Sequence, residues 1–487
     1  ARKESILFCF PTEHDIDVFR SSLEKGIVTY IYTLTGKLTE KQVVETVRAI
    51  IENPHPVVIF TTPSYMFIPR SDIATFVVEH ESSPAYKQIK RPHVDIRTFA
   101  EYFAESSKKK LIFADTLLRT ETIWREREKL IGSVAPLNFR LSNLNQPIII
   151  DSKKNKEETK KEPYKIFVPQ TKSVIEKALT EKKKIFVFTL RKGLAPVTIC
   201  NNCGTTVTCE TCTTPLTLHE QSKTKRIFSC PVCRTQKDPH TVCQVCQGWD
   251  LRPLGIGADT VARELADYFP ETQIMRLDKD HTKTKSAAQK VVAAFEKTQG
   301  SILVGTEMAL FYLSHEIDVT IVASFDSLFS IPSFRIYERI MHLQMMLAER
   351  TKYTYLIQTK NNDEPILHTL EGNNLIQFYT SEIAIRKEFN YPPFSRFIKM
   401  SVVGTKETLL KERKVIEGLF EGYSLSFFKA NRVASTGKQI LHAVLKIAVE
   451  DWPLYESLGH HRNLNLKEKL KSLPMQWSVD VDPEDVV

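Results

Sequence analysis

The chain has 487 residues, enough for about three domains, and 42% hydrophobic with 26% charged residues is the balance of a soluble globular protein. Its 67 basic and 58 acidic residues leave a net charge of +9, which suits a polyanionic partner and equally suits solubility alone. No run of about 18 apolar residues occurs, so no membrane span is expected, and the amino-terminal stretch lacks the pattern of a secretory signal.

Ala1 stands where Met is usual, and the chain enters at once into the strand-like run Ile6-Leu7-Phe8-Cys9-Phe10. That start reads as a fragment or an abbreviated protein. Buried strands are expected at Ile6–Phe10, Val28–Tyr32, Val57–Phe60, Thr75–Val78 and Lys110–Ala114, with amphipathic helices over Thr39–Glu52 and Val94–Ser106. Such alternation predicts a parallel sheet covered by helices over residues 1–135. Asp151 to Pro163 is polar and charge-rich and reads as a connector. A second α/β unit follows, with a helix at Val174–Thr180 and a strand at Ile185–Leu190. After a cysteine-rich stretch the alternation resumes through the helices Ala258–Phe269, Ala287–Lys297 and Phe334–Glu349. The strands of this part are Ile274–Leu277, Ile302–Val304, Val319–Phe325 and Tyr353–Gln358. The cysteine segment is therefore an insertion into the second unit. Beyond Pro392 strands (Phe397–Val403, Ala443–Val449, Gln476–Val481) mix with helices (Glu407–Leu419, Leu464–Ser472), an α+β pattern.

Eight of the nine cysteines form four C-x-x-C pairs: Cys200/Cys203, Cys209/Cys212, Cys230/Cys233 and Cys243/Cys246. A two-residue gap lets both sulfurs of one turn face one metal, and two such hooks complete a tetrahedral sulfur shell for zinc. The segment has few large apolar residues, so metal has to fold it, at about 10–16 kcal/mol per site in small zinc modules. Nested ribbons favour one ion on Cys200, Cys203, Cys243 and Cys246 and a second on Cys209, Cys212, Cys230 and Cys233. Sequential pairing of the hooks is the alternative on spacing. A disulfide framework needs an oxidising compartment for which the sequence gives no sign, and an iron–sulfur cluster is the other competitor. Cys9 reads as a buried hydrophobe. His219 and His240 lie near the hooks but are surplus to a complete sulfur count.

With these motifs in view, the chain resembles the primosomal protein N′ (PriA) family of replication-restart helicases. Leu190-Arg191-Lys192-Gly193-Leu194-Ala195-Pro196 and Pro215-Leu216-Thr217-Leu218-His219 match the family around its zinc region. Gly255-Ile256-Gly257-Ala258-Asp259-Thr260, Arg276-Leu277-Asp278-Lys279-Asp280 and Ile302-Leu303-Val304-Gly305-Thr306-Glu307-Met308 match its second lobe. Tyr391-Pro392-Pro393-Phe394 and Val479-Asp480-Val481-Asp482-Pro483 match its carboxy-terminal part. The resemblance implies two RecA-like helicase lobes with a zinc-ribbon insertion in the second, followed by an α+β domain. It also supports the nested zinc pairing. The implied divisions are a partial first lobe at 1–135, a linker and start of the second lobe at 136–195, the two-zinc insertion at 196–252, the rest of the second lobe at 253–372 and the carboxy-terminal domain at 373–487.

The resemblance also exposes losses. No GxxxxGK[ST] string for nucleotide phosphates occurs, and the family's amino-terminal DNA-binding modules have no counterpart in this chain. Val77-Val78-Glu79-His80-Glu81-Ser82-Ser83 stands where the family has Asp-Glu-Glu-His, so Val77 and Val78 fall at positions of metal-handling acids. Phe113-Ala114-Asp115-Thr116-Leu117 replaces Gly-Ser-Ala-Thr-Pro. Met346-Leu347-Ala348-Glu349-Arg350-Thr351-Lys352 keeps only Arg350 of the paired motif arginines. An arginine finger alone is worth roughly 10³–10⁵ in rate, so these losses together predict a helicase scaffold without its motor and without bound ATP. Glu79, His80, Glu81 and His315 form no recognised catalytic constellation, and no catalytic or nucleotide-binding residue is assigned.

The leading expectation is a cytoplasmic, nucleoid-associated protein of bacterial type that binds branched or single-/double-stranded DNA junctions at abandoned forks. The resemblance implies primosome proteins, the replicative helicase loader and single-stranded-DNA-binding protein as partners. Lys223, Lys225, Arg226, Arg234 and Trp249 of the zinc region are the candidate DNA contacts, with a solvated rim and a Trp249 packed on the ribbon as the plainer reading. The competing expectations are an active ATP-dependent 3′–5′ helicase whose phosphate loop lies upstream, and an adaptor that binds only protein.

Overall fold

The computed structural model describes residues 4–21, 23, 25–134, 145–152, 165–190, 197–200, 207–210, 216–222, 225–229, 236–237, 242–249, 251–254, 257–279, 281–313, 317–330, 333–372, 374–429, 439–452 and 464–486. It divides into two units. One comprises Ala1–Leu137 with Ile383–Val486, the other Asn138–Glu382, and the division falls inside one helix.

The first part runs β1 (Ser5–Cys9), α1 (Glu13–Ser21), α2 (Lys25–Val28), β2 (Ile31–Leu34), α3 (Glu40–Glu52), β3 (Val58–Thr61), β4 (Ile73–Glu79), α4 (Ile96–Ser106), β5 (Lys110–Ala114) and α5 (Thr120–Arg127). The strands form one parallel sheet in the order β2-β3-β1-β4-β5. Alternation in β1 sends Leu7 and Cys9 to one face, against Ile50 of α3 and Ala100 and Ala104 of α4. Phe8 faces the other way and joins Phe10, Ile16, Phe19 and Phe60. Cys9 is fully buried, as an apolar residue would be, and burial pushes its thiol up to about 12. Thr39 starts α3 with a capping box: the Gln42 amide donates to its hydroxyl, and the Gln42 side chain accepts from the Thr39 amide at 2.9 Å.

The second unit contains β6 (Pro147–Asp151), α6 (Pro169–Thr180), β7 (Ile185–Phe188), β8 (Val197–Cys200), β9 (Thr217–Ser222), β10 (Lys225–Ser229), β11 (Gln236–Lys237) and β12 (Leu251–Leu254). It continues through α7 (Ala258–Tyr268), β13 (Ile274–Leu277), α8 (Lys285–Lys297), β14 (Ile302–Gly305), β15 (Ile317–Val322), α9 (Ile336–Arg350), β16 (Thr351–Thr359), α10 (Pro365–Gly372) and the start of α11 (Leu375–Glu388). Six strands make a parallel sheet in the order β13-β14-β7-β15-β16-β6. The central strands β7 and β14 are buried on both faces, which explains their unbroken apolar sequences. Gly305 ends β14 because there is no room for more: a Cβ would lie 2.8 Å from Ala309 Cβ and 2.9 Å from the Phe186 ring. The chain leaves the sheet after β7 and returns at α7, where Leu190 bridges to Gly257. Everything between is inserted, as the sequence implied.

Two polar side chains, half-buried Glu264 and buried Gln358, fasten the entry to this unit. Glu264 accepts the amides of Ile166 and Phe167 at 2.8 and 2.9 Å. Gln358 accepts from Val168 and Thr171 and donates to the carbonyls of Ile166 and Ala323. Its amide is thereby satisfied on both ends, which burial demands.

The carboxy-terminal part folds as β17 (Ser395–Gly404), α12 (Lys406–Leu419), β18 (Leu425–Lys429), β19 (Gln439–Ala448), α13 (Leu464–Lys471) and β20 (Ser478–Val481). Its sheet is antiparallel, ordered β18-β19-β17-β20. One face, with Ile398, Met400, Ala443 and Leu445, packs on Ile416 of α12, on Phe420 at that helix's end and on Leu466. Within the same unit this part grips the first sheet's surroundings. Arg97 pairs with Glu484, Lys87 with Asp480 at 2.9 Å, and Arg386 with Glu121 at 3.2 Å. Arg91 donates to the carbonyls of Met475 and Trp477, and Trp124 meets Phe394 edge to face.

Candidate functional site

The inserted segment has two small ribbons. β8 pairs antiparallel with β12, placing Cys200 opposite Leu251, while β9, β10 and β11 form a second antiparallel sheet. Backbone bonds tie them: Thr198 N–H to Leu216, Val207 N–H to Thr198 and Leu216 N–H to Val207, all at 2.8–2.9 Å. The apolar cluster inside is small, comprising Cys200, Val207, Cys209, Leu216, Phe228, Cys243 and Leu251.

The fourth hook is a tight turn. Cys243 N–H donates to Gly248 at 2.8 Å, Gln247 N–H donates back to Cys243 at 2.9 Å, and Gln247 adopts φ +58°. The Val245 amide points at Cys243 Sγ, 3.4 Å away. This turn delivers Cys243 and Cys246 to the end of β8, where their sulfurs and that of Cys200 all lie within 4.8 Å of one another. Cys200 and Cys246 are 3.4 Å apart, too far for a disulfide of about 2.05 Å. A tetrahedral zinc with bonds of about 2.3 Å separates its sulfurs by about 3.8 Å, so three soft donors at this spacing fit such an ion. Cys203, Cys212, Cys230 and Cys233 lie outside the described residues. Cys209 is buried beside this centre, and Gln244 of the fourth hook donates to Glu210 of the second at 3.1 Å.

Of the proposed DNA contacts, Lys223 and Arg234 lie outside the described residues, as does His240. Lys225 and Arg226 fall on β10 and His219 on β9. Trp249 is 81% exposed and Val245 of the fourth hook 68% exposed.

The carboxyl ends of the first sheet look different. Val77 and Val78 are buried in the sheet's core. Glu79 ends β4, half-buried, and burial raises its carboxyl. The Tyr86 hydroxyl sits 2.7 Å from the Cys9 carbonyl and 2.6 Å from that of Glu79, holding the ends of β1 and β4 together. Phe113 and Ala114 belong to β5, and the Asp115 carboxylate accepts the amides of Ser82 and Leu117 at 2.7 and 3.3 Å. His315 lies outside the described residues. Arg350 ends α9 and turns back to donate to the Met346 carbonyl of its own helix at 3.1 Å.

Glu81 is sequestered. Its carboxylate accepts from the Thr122 hydroxyl and the Arg119 amide, while its carbonyl accepts from Arg97 at 3.0 Å. Complete burial lifts the carboxyl to about 7 against the pull of Arg119 and Thr122. The folded state therefore prefers the protonated acid. That preference contributes fully below the ordinary carboxylate range and is lost as pH rises through about 7. Glu81→Gln is accordingly expected to raise stability at pH 8 by about 1–3 kcal/mol and to leave it little changed at pH 4. Denaturant titrations at the two pH values measure the difference.

The class is that of an α/β protein with two parallel sheets, the second carrying a cysteine ribbon, and an antiparallel carboxy-terminal sheet. Sequence relatives narrow the class. No family model matches the chain. It is 28% identical over 441 residues to the replication restart protein PriA of Chlamydia muridarum, covering 86% of this chain and 57% of that protein. The PriA proteins of Rickettsia prowazekii and Thermotoga maritima are 27% and 26% identical over 394 and 354 residues. Those alignments cover 78% and 71% of this chain and 59% and 46% of theirs. The resemblance to the PriA family is thus borne out, and the chain spans about half the length of the curated relatives it matches. Solved structures similar to it include the DUF1998 helicase MrfA bound to DNA, at a TM-score of 0.38 and 10% identity over 76% of this chain and 45% of that one. A DEAD box protein from Methanococcus jannaschii has a TM-score of 0.34 and 9% identity over 80% of this chain and 79% of that one.

Proposed function

We propose that this chain is a PriA-like replication-restart protein that binds abandoned or branched forks and promotes primosome assembly and helicase reloading without hydrolysing ATP. The meeting of Cys200 with Cys243 and Cys246, inside a chain similar to PriA proteins over most of its length, carries the reading. The ribbon holds two zinc ions: one on Cys200, Cys203, Cys243 and Cys246, the other on Cys209, Cys212, Cys230 and Cys233. Zinc supplies structure only. The protein's residues do the recognising, with Lys223, Lys225, Arg226 and Arg234 meeting phosphates and Trp249 stacking on unpaired bases. Primosome proteins, the helicase loader and single-stranded-DNA-binding protein are its protein partners, in the bacterial cytoplasm and at the nucleoid.

The nucleotide half of the family's machinery does not fit the residues present. Val77 and Val78 are buried among apolar neighbours, Glu81 is occupied by Thr122 and Arg119, and Arg350 bonds its own helix. Fluorescence anisotropy with a forked DNA tests the binding. Affinity is expected to fall at least about tenfold between 50 and 200 mM salt, and Trp249→Ala is expected to weaken fork binding about tenfold. Salt-independent binding, or none, supports the protein-only adaptor instead.

A further inference from the structure

The carboxyl ends of β1, β4 and β5 bring three acids into one neighbourhood: Asp15 at the start of α1, Glu79 at the end of β4 and Asp115 just after β5. His80 lies among them. Its Nδ1 is 3.5 Å from Asp15 Oδ1, and the charges of Asp115 and Glu79 also act on it. Asp15 is itself fixed: its other oxygen accepts from the Thr12 hydroxyl at 2.6 Å and the Thr12 amide at 3.1 Å. His80 reaches this place through a left-handed backbone, φ +51°, unusual for a side chain with a Cβ. Of the other charges of α1, Glu13 and Asp17 pair with Lys37 at 3.4 and 3.2 Å, while His14 adds a weaker positive influence on Asp15 than His80 does.

We propose that the His80 imidazolium is the resident cation of this acid cluster, tying α1 to the end of β4 and taking the place a divalent metal would need. Three carboxylates at one sheet end repel one another, and something positive has to balance them. The hydrogen bond that His80 donates to Asp15 is the largest influence raising the His80 pKa, and the nearby carboxylates add to it. Asp15 is lowered despite its burial, as a carboxylate paired with a cation should be. A bound metal is the alternative balance. With His80 between them, these acids are held too far apart to make one among the described residues, where the ribbon thiols are the group that does.

The inference goes beyond the DNA-binding reading and does not need it. Manganese(II) alone, without nucleotide or DNA, is the probe, so failure here leaves fork binding untouched. On the full chain, His80→Ala is expected to bind Mn²⁺ at least about tenfold more tightly than the wild type by electron paramagnetic resonance titration. The gain is expected to vanish in Asp15→Asn/His80→Ala. Histidine NMR of the wild type is expected to place His80 above the ordinary imidazole value, and Asp115→Asn is expected to lower it. Equal Mn²⁺ binding by wild type and His80→Ala, a gain that survives loss of Asp15, or a His80 titrating at or below the ordinary value overturns the proposal.

Discussion

Cys246→Ser is expected to release one zinc ion per chain and to unfold the β8–β12 ribbon while the six-stranded sheet survives. The reason lies in what the ribbon lacks. Among the described residues its apolar cluster has seven members, three of them cysteines, and the segment's sequence has few large apolar residues to offset the entropy of ordering it. On the proposed reading, zinc supplies the difference, about 10 kcal/mol or more per site. Serine keeps the size of the side chain and loses the thiolate, so zinc loses a ligand rather than the turn losing a residue. Chelation is expected to act in the same way on both sites. Hydrogen exchange reads the result directly: protection of the Thr198 amide, bonded to Leu216, disappears, while amides of β7 and β14 stay protected. Unchanged exchange and zinc content in Cys246→Ser would mean that the first and fourth hooks do not share an ion.

Arg97→Ala is expected to cost the first unit about 3–5 kcal/mol. Arg97 is 3% exposed and meets Asp95 through two parallel bonds, Nε to Oδ1 at 2.9 Å and Nη2 to Oδ2 at 2.8 Å. It also pairs with Glu484 and donates to the Glu81 carbonyl. Burial alone would raise the Asp95 carboxyl; the bonds and charge of Arg97 outweigh it and hold the group at about 2. Because the folded value is depressed, the pair's contribution is present above the ordinary carboxylate range and is lost as pH falls towards 2. Removing the guanidinium takes the two-pronged partner from the largely buried Asp95 and one cation from Glu484, which keeps Arg119 at 3.9 Å. Denaturant unfolding measures the loss, and faster exchange in β20 locates it. Lysine is expected to restore less than half, since an ammonium cannot reproduce the two-pronged contact.

Much of this was legible in the sequence because the period-2 and helical patterns were strong. The strands at Ile6, Val57, Lys110, Ile185 and Ile302 and the helix behind Thr39 appear within a residue or two of expectation. Sequence patterns miss α1, α2, α5, α10, α11, β6 and β18, and place at Val28–Tyr32 the strand that runs Ile31–Leu34. α5 buries only Thr120, Thr122 and Ile123 and is otherwise charged, so its apolar period is weak. β6 is a five-residue edge strand with Ile148 half exposed, short enough to pass for connector. The cysteine hooks were visible from spacing alone, and their nested order is consistent with the three thiols that meet. What no local pattern reveals is the pairing of Arg97 with Glu484 and of Arg386 with Glu121, made across 387 and 265 positions of sequence. Nor does composition tell that Glu81 is buried and His80 turned towards Asp15. Those facts depend on how strand ends meet, which is a property of the assembled sheet.

On the proposed reading, the chain keeps a PriA-like scaffold and a zinc ribbon and works without ATP. DNA-stimulated ATP hydrolysis by the full gene product, at saturating forked DNA and magnesium, tests it most directly. The prediction is no hydrolysis above that of a no-enzyme control while the fork remains bound; turnover that rises on adding fork would contradict it.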